Sequence, residues 1–162
     1  MTGRWHLPDP QATEQVGAAL ARTVTGGMVV ALRGDLGTGK TTLVRGVLRA
    51  LGWTGPVKSP TYTLVEYYPF SSLYLYHFDF YRFLDPSEWD WAGLAECFRS
   101  DSACLVEWPE RVAELLPPAD LDLTLAHTPG NAGGRDLSVA STSTAGSKCA
   151  AEIARLALPV PS

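Results

Sequence analysis

Apolar positions along this chain fall into two rhythms, and the alternation between them sets the element order. Met28-Val29-Val30-Ala31-Leu32 is an unbroken apolar run, the form of a strand buried on both faces. Leu43, Val44, Val47, Leu48 and Leu51 then recur at helical spacing, with Gly52 as the stop. Before the strand, Val16, Ala19, Leu20 and Val24 mark one face of a helix. Asp9-Pro10 opens that helix as an N-cap with proline at the first position, and Gly26-Gly27 closes it. Residues 73–80 predict another strand, with His77 and Asp79 on one face and Tyr76, Phe78 and Phe80 on the other. Asp85-Pro86-Ser87-Glu88 has the form of a capped helix start, and Trp89, Leu94, Cys97 and Phe98 supply apolar surface after it. Ala103-Cys104-Leu105-Val106-Glu107 is a short apolar strand ending in a carboxylate. Residues 110–116 read as a short helix stopped by Pro117-Pro118. Leu121-Asp122-Leu123-Thr124-Leu125 alternates as a strand with one wet face, and Leu137-Ser138-Val139-Ala140 returns antiparallel to it. Residues 1–8 read as a lead-in, 129–147 as a mainly flexible loop region, and 150–158 as a last helix. The order predicts an α/β fold: one domain over residues 1–162, a mainly parallel central sheet, flanking helices and an antiparallel C-terminal extension.

The turn between the first strand and its helix carries the chemistry. Gly34-Asp35-Leu36-Gly37-Thr38-Gly39-Lys40-Thr41-Thr42 fits G-x-x-x-x-G-K-[ST], the phosphate-binding loop of P-loop NTPases. Residues without a Cβ let the backbone approach an anion, and consecutive N–H groups at a helix N-terminus cradle phosphate oxygens. Lys40 is placed to reach the β- and γ-phosphates, and the Thr41 hydroxyl to ligate Mg²⁺.

Three further segments bear on that site. Val57-Lys58-Ser59-Pro60-Thr61-Tyr62-Thr63 has two readings of equal standing: a loop entering a strand, or a hydroxyl-rich segment that senses the γ-phosphate and Mg²⁺. Asp79 is costly to bury without a partner; at a strand end it can bind Mg²⁺ or orient the attacking water. Arg82 reads first as an ion-pair partner of Asp79, and His77 as a satisfied core histidine. Glu107, closing a short apolar strand, has the form of a Walker B carboxylate pointing at Mg²⁺.

Composition narrows the classes. The 162 residues are 46% hydrophobic and 19% charged, which suffices for a full core. A net charge of −4 gives no general electrostatic grip on nucleic acid, so DNA is not an expected partner. Cys97, Cys104 and Cys149 are odd in number and lack C-x-x-C spacing, so they read as reduced thiols of a cytoplasmic protein. No apolar stretch is long enough for a membrane span.

Four blocks together carry a family resemblance. The phosphate loop, the segment from Val57 to Glu66, His77-Phe78-Asp79-Phe80-Tyr81-Arg82, and Leu105-Val106-Glu107-Trp108-Pro109-Glu110 resemble, in order and spacing, the TsaE (YjeE) family of bacterial ATPases. The resemblance runs from about Leu7 to the end and thins between residues 128 and 147. It implies a small P-loop ATPase that supports N6-threonylcarbamoyladenosine modification of tRNAs reading codons that begin with A. It implies ATP and Mg²⁺ as ligands and a heterodimer of TsaD and TsaB as partner, with tRNA reached indirectly through that complex. ATP hydrolysis then sustains or resets the transferase complex between turnovers. Residue by residue, Thr41 and Glu107 look like the Mg²⁺ ligands. Lys40 and the backbone of Gly37, Thr38, Gly39, Thr41 and Thr42 look like the phosphate cradle. Ser59, Thr61 and Thr63 look like a switch-like loop, and Asp79 like the residue needed for hydrolysis. Trp108 looks like a conformational reporter, Pro10 to Ala12 like part of the adenine site, and Arg135 like a residue that closes over the nucleotide. The alternative is a small-molecule or nucleotide kinase using the same loop; the absence of an arginine-rich lid between Asp79 and Glu107 speaks against it. No N-K-x-D or T-K-x-D guanine-reading motif is present, so adenine is the expected base.

Overall fold

The structure, a computed structural model, describes residues 2–60 and 62–162. Seven strands form one sheet in the order β1-β7-β6-β2-β5-β4-β3. In chain order they are β1 (Thr2–Leu7), β2 (Val29–Arg33), β3 (Val65–Pro69), β4 (Tyr74–Asp79), β5 (Ser102–Glu107), β6 (Leu121–Thr128) and β7 (Asn131–Ser141). The helices are α1 (Pro10–Ala21), α2 (Lys40–Ala50), α3 (Ser87–Trp91) and α4 (Thr144–Ala154). Neighbours among β6, β2, β5 and β4 pair in parallel, as the apolar runs of β2 and β5 require. Antiparallel pairs flank this centre: β3 on β4, and β7 on both β6 and β1. The α/β fold with a mainly parallel centre and an antiparallel C-terminal extension therefore stands.

Each sheet face has its own apolar layer. One, containing Val30, Leu32, Leu75 and Leu105, packs against Val16 and Leu20 of α1, Leu43, Val44, Val47 and Leu48 of α2, and Ile153 of α4. The other is aromatic, with Phe78, Phe80 and Phe83 packed with Trp89. Phe78 and Phe98 stack at 5.3 Å between ring centroids, and Trp89 and Phe98 at 5.8 Å. The starts of α1 and α3 follow their sequence signals. Asp9 Oδ1 accepts from the Ala12 N–H at 2.8 Å, and Glu88 Oε2 accepts from the N–H groups of Leu84 and Asp85 at 3.0 Å each.

Several stretches differ from the expectations. Within the expected lead-in, Thr2–Leu7 form strand β1, paired with β7 from Thr2↔Ala140 to Leu7↔Arg135. The region 129–147, expected as mainly flexible loop, is instead β7 followed by the first turn of α4. Its glycines weaken local strand preference, and hydrogen bonding to β6 on one side and β1 on the other overrides that. Helix α4 begins at Thr144, not near 150, because Ser143 caps it by accepting from the Gly146 N–H at 3.0 Å. The helix expected over 110–116 is a 3₁₀ turn, Pro109–Val112.

Helices α1 and α2 cross where glycine is required by space. A Cβ at Gly46 would strike the carbonyl of Glu14, and one at Gly17 would strike the carbonyl of Leu43 and lie 2.8 Å from the Val47 nitrogen. This contact brings the start of α1 close to the phosphate loop. Gly17→Ala or Gly46→Ala is expected to destabilise the chain by about 1–3 kcal/mol through overpacking. Urea unfolding measures it, and an unchanged midpoint would refute the close crossing.

Candidate functional site

Residues 34–39 link the end of β2 to the start of α2, and the loop geometry is set by backbone. Gly39 is the N-cap of α2 at φ +104°, and no side chain caps the helix. The positive helix end is therefore left for an anion. Lys40 folds back on its own loop, donating from Nζ to the carbonyls of Gly34 and of Asp35, the latter at 2.9 Å. Its ammonium also lies 4.5 Å from the centre of the Trp108 ring. Burial holds the Lys40 amine below its ordinary range, against the opposing pull of Glu107, Asp79, Glu110 and Asp35.

Arg135 grips the loop from β7. Its Nε donates to the Thr38 carbonyl at 3.1 Å and its Nη2 to the Gly37 carbonyl at 3.0 Å. A trans peptide points N–H opposite to C=O, so holding the Thr38 carbonyl turns the Gly39 N–H away from the guanidinium. Beside this grip lies a cleft of about 250 Å³, lined by Asp9, Pro10, Thr13, Gly133, Arg135 and residues 37–42. Pro10 thus lies on the cleft beside the loop. Ala12 does not line the cleft: it is buried, and its N–H is taken by Asp9.

The carboxylates converge from the parallel strand ends. Glu107 is level with Leu32 of β2 on one side and Asp79 of β4 on the other. It is 3% exposed. Its Oε2 accepts from the Thr41 hydroxyl at 3.0 Å and contacts Nε2 of the fully buried His77 at 2.5 Å. One hydroxyl and one carboxylate beside a free helix N-terminus form the donor set that Mg²⁺ takes when nucleotide phosphates and water complete its shell. Among the described residues no three His, Cys, Asp or Glu side chains converge as a metal cage. Trp108, next in sequence, holds φ +56°, uncommon for a bulky residue, and its ring centre is 5.0 Å from that of Tyr81.

Asp79 faces a second cleft of about 300 Å³, with Leu36, Ser59, Tyr81 and Arg82. Its Oδ1 accepts from the Tyr81 N–H at 2.9 Å and its Oδ2 from the Ser59 hydroxyl at 3.2 Å. Burial raises its pKa, partly offset by the Tyr81 N–H, and the Glu107 charge adds to the rise. The expected Asp79–Arg82 ion pair is not formed; the Arg82 guanidinium lies 5.5 Å from the Tyr62 ring centre instead. Of the proposed switch-like residues, Ser59 reaches Asp79, Thr63 donates to the Val65 carbonyl at 3.1 Å, and Thr61 lies outside the described residues.

Residues 7–136 match the model of the family described as threonylcarbamoyl adenosine biosynthesis protein TsaE. The chain belongs to the TsaE family. It is 52% identical over 94 residues to the tRNA threonylcarbamoyladenosine biosynthesis protein TsaE of Haemophilus influenzae, an alignment covering 58% of this chain and 60% of that relative. It is 40% identical over 122 residues to the Bacillus subtilis protein of the same name, covering 75% and 76% of the two chains. The crystal structure of Bacillus subtilis YdiB superposes with a TM-score of 0.80 at 29% identity, covering 97% of each chain.

Within this TsaE-family site, the sequence reading missed Asp9, Thr13 and Gly133 as cleft residues and His77 as the partner of Glu107. Asp9 was recognisable only as a helix cap. His77 shared a strand face with Asp79 in sequence, but its reach to Glu107 depends on which strand lies beside it.

Two outcomes follow from this geometry. Arg135→Ala is expected to lower ADP affinity about 10-fold by freeing the loop carbonyls, and Arg135→Lys to restore little, because the forked donor is lost. Titration calorimetry with ADP checks both. The raised pKa of Asp79 means the folded chain holds that proton more tightly than the unfolded chain. Stability is therefore lost as pH rises from the ordinary value of 3.8 through the raised one. Asp79→Asn is expected to raise the melting temperature at neutral pH, with the gain vanishing in acid; no gain at neutral pH would contradict the assignment.

Proposed function

We propose that this chain is an Mg²⁺-dependent ATPase that serves tRNA threonylcarbamoyladenosine biosynthesis by controlling a TsaD–TsaB transferase complex. Family membership supports the pathway. The observation that carries the chemistry is the convergence on one uncapped helix N-terminus of Lys40, Thr41 and the buried Glu107. The reaction is in-line attack of water on the γ-phosphorus of ATP, with ADP and phosphate as products.

Thr41 and Glu107 would hold Mg²⁺, which would supply charge neutralisation to the phosphates. The N–H groups at the start of α2 cradle the phosphates, and Lys40 leaves the carbonyls of Gly34 and Asp35 to meet the transferring group. Pro10 and Thr13 border the nucleoside side of the cleft. Asp79 bridges to Ser59, which supports a role in coupling the 59–63 loop to the state of the phosphate. Arg82, which lines the second cleft, rests on Tyr62, so the lone chain carries no positioned arginine finger there. Turnover by the isolated chain is therefore slow, and a partner that supplies such a charge would accelerate it by about 10³–10⁵-fold.

The test is phosphate release from ATP by the chain alone and with purified TsaD–TsaB. Slow release alone and faster release with the pair is expected. Phosphate transfer to an added metabolite with none to water would replace this reading with a kinase. Lys40→Ala is expected to abolish productive nucleotide binding, and excess GTP to compete poorly with ATP. Rapid hydrolysis by the isolated chain would overturn partner control.

A further inference from the structure

His77 carries a polar edge that the core does not otherwise explain. It sits mid-strand in β4 with 0% exposure, at a position where an aliphatic side chain would fill space without desolvating a polar group. Its Nδ1 is buried without a hydrogen-bond partner among the described residues. Its Nε2 is 2.5 Å from Glu107 Oε2. A carboxylate only accepts, so Nε2 carries the hydrogen, and Nδ1 is cheaper left as a bare lone pair than as a second orphaned N–H. The register explains the reach: Asp79 lies level with Glu107, so His77 is the diagonal neighbour two residues back on the same face.

We propose that His77 is a positioning residue that fixes the Glu107 carboxylate for the metal through its single Nε2–H donor. The proposal rests on the Mg²⁺-nucleotide reading above. Thr41 and His77 share the same oxygen, Oε2. The Thr41 hydroxyl can donate its hydrogen to that oxygen and still offer a lone pair to a cation, so it is shared between carboxylate and metal. The His77 N–H, fixed in the sheet and free of any metal role, is the donor dedicated to holding Glu107 in place. A donor that orients a metal-ligating side chain typically changes metal affinity by about 10–100-fold.

The test compares His77→Leu, which fills space without a donor, with His77→Gln, whose amide N–H reaches a similar point. ADP binding is measured by calorimetry in EDTA and across a Mg²⁺ titration. The Leu variant is expected to bind ADP as wild type in EDTA but to need about 10–100-fold more Mg²⁺ for the metal-dependent gain; Gln restores most of it. In the unmodified chain, imidazole ¹⁵N spectra should show Nε2 protonated and Nδ1 bare, a readout that stands even where the Leu variant fails to fold. A Leu variant with wild-type Mg²⁺ dependence, equal losses with and without Mg²⁺, or a hydrogen on Nδ1 would each overturn the proposal. If wild type shows no Mg²⁺-dependent gain, the metal reading itself fails and His77 falls with it; if wild type gains and the Leu variant gains equally, only the His77 role fails.

Discussion

A carboxylate 3% exposed at the end of β5 is the constraint around which this site is built. A buried anion without donors is costly, and Glu107 has none of its own to call on. Its donors come from two other elements: the Thr41 hydroxyl at the start of α2 and the His77 ring in β4. The parallel register that sets Glu107 level with Asp79 also sets the diagonal to His77, so sheet pairing and site geometry are one requirement. A slip of one residue would turn His77 and Asp79 to the aromatic face and strand the carboxylate.

The positive side of the site shows the same economy of parts. The loop carbonyls that a phosphate would repel are held by cations: those of Gly34 and Asp35 by Lys40, those of Gly37 and Thr38 by Arg135. The helix end between them is uncapped. Lys40 therefore rests in a satisfied position on its own loop, and burial weakens its hold on its own proton. Arg135, by contrast, has a planar fork spread over neighbouring peptides and acts as a brace.

Asp79 shows what such a site costs the fold. It is kept partly buried although burial disfavours its charge, and its two oxygens are engaged by Tyr81 and Ser59. A residue held against its own preference, linked to a loop, is the arrangement expected of a functional site that trades stability for control. The large exposed side chains Tyr62 and Trp91 line a cleft bordered by Arg82 and Glu88.

The phosphate loop, the strand before it and the helix after it are legible along the chain, because those features are local. A G-x-x-x-x-G-K-T pattern, an apolar run and a 3.6-residue period need no distant partner to be read. Glu107 likewise ends an apolar stretch in sequence, whereas the apolar run around Asp79 continues into Phe80. Strand β1 owes its existence to folding, because six residues with Trp5 and Leu7 as their main apolar content become a strand by pairing with β7. Folding likewise decided that glycine-bearing β7 is a strand, hydrogen-bonded on both sides, and that Arg135 reaches the phosphate loop from it across a separation of 98 residues. It moved Ala12 into the core, put Thr13 in the cleft, and joined His77 to Glu107. The physical reason is common to all of these: hydrogen bonds between strands and contacts across a sheet depend on neighbours chosen by topology, and no periodicity along the chain records which neighbours those are.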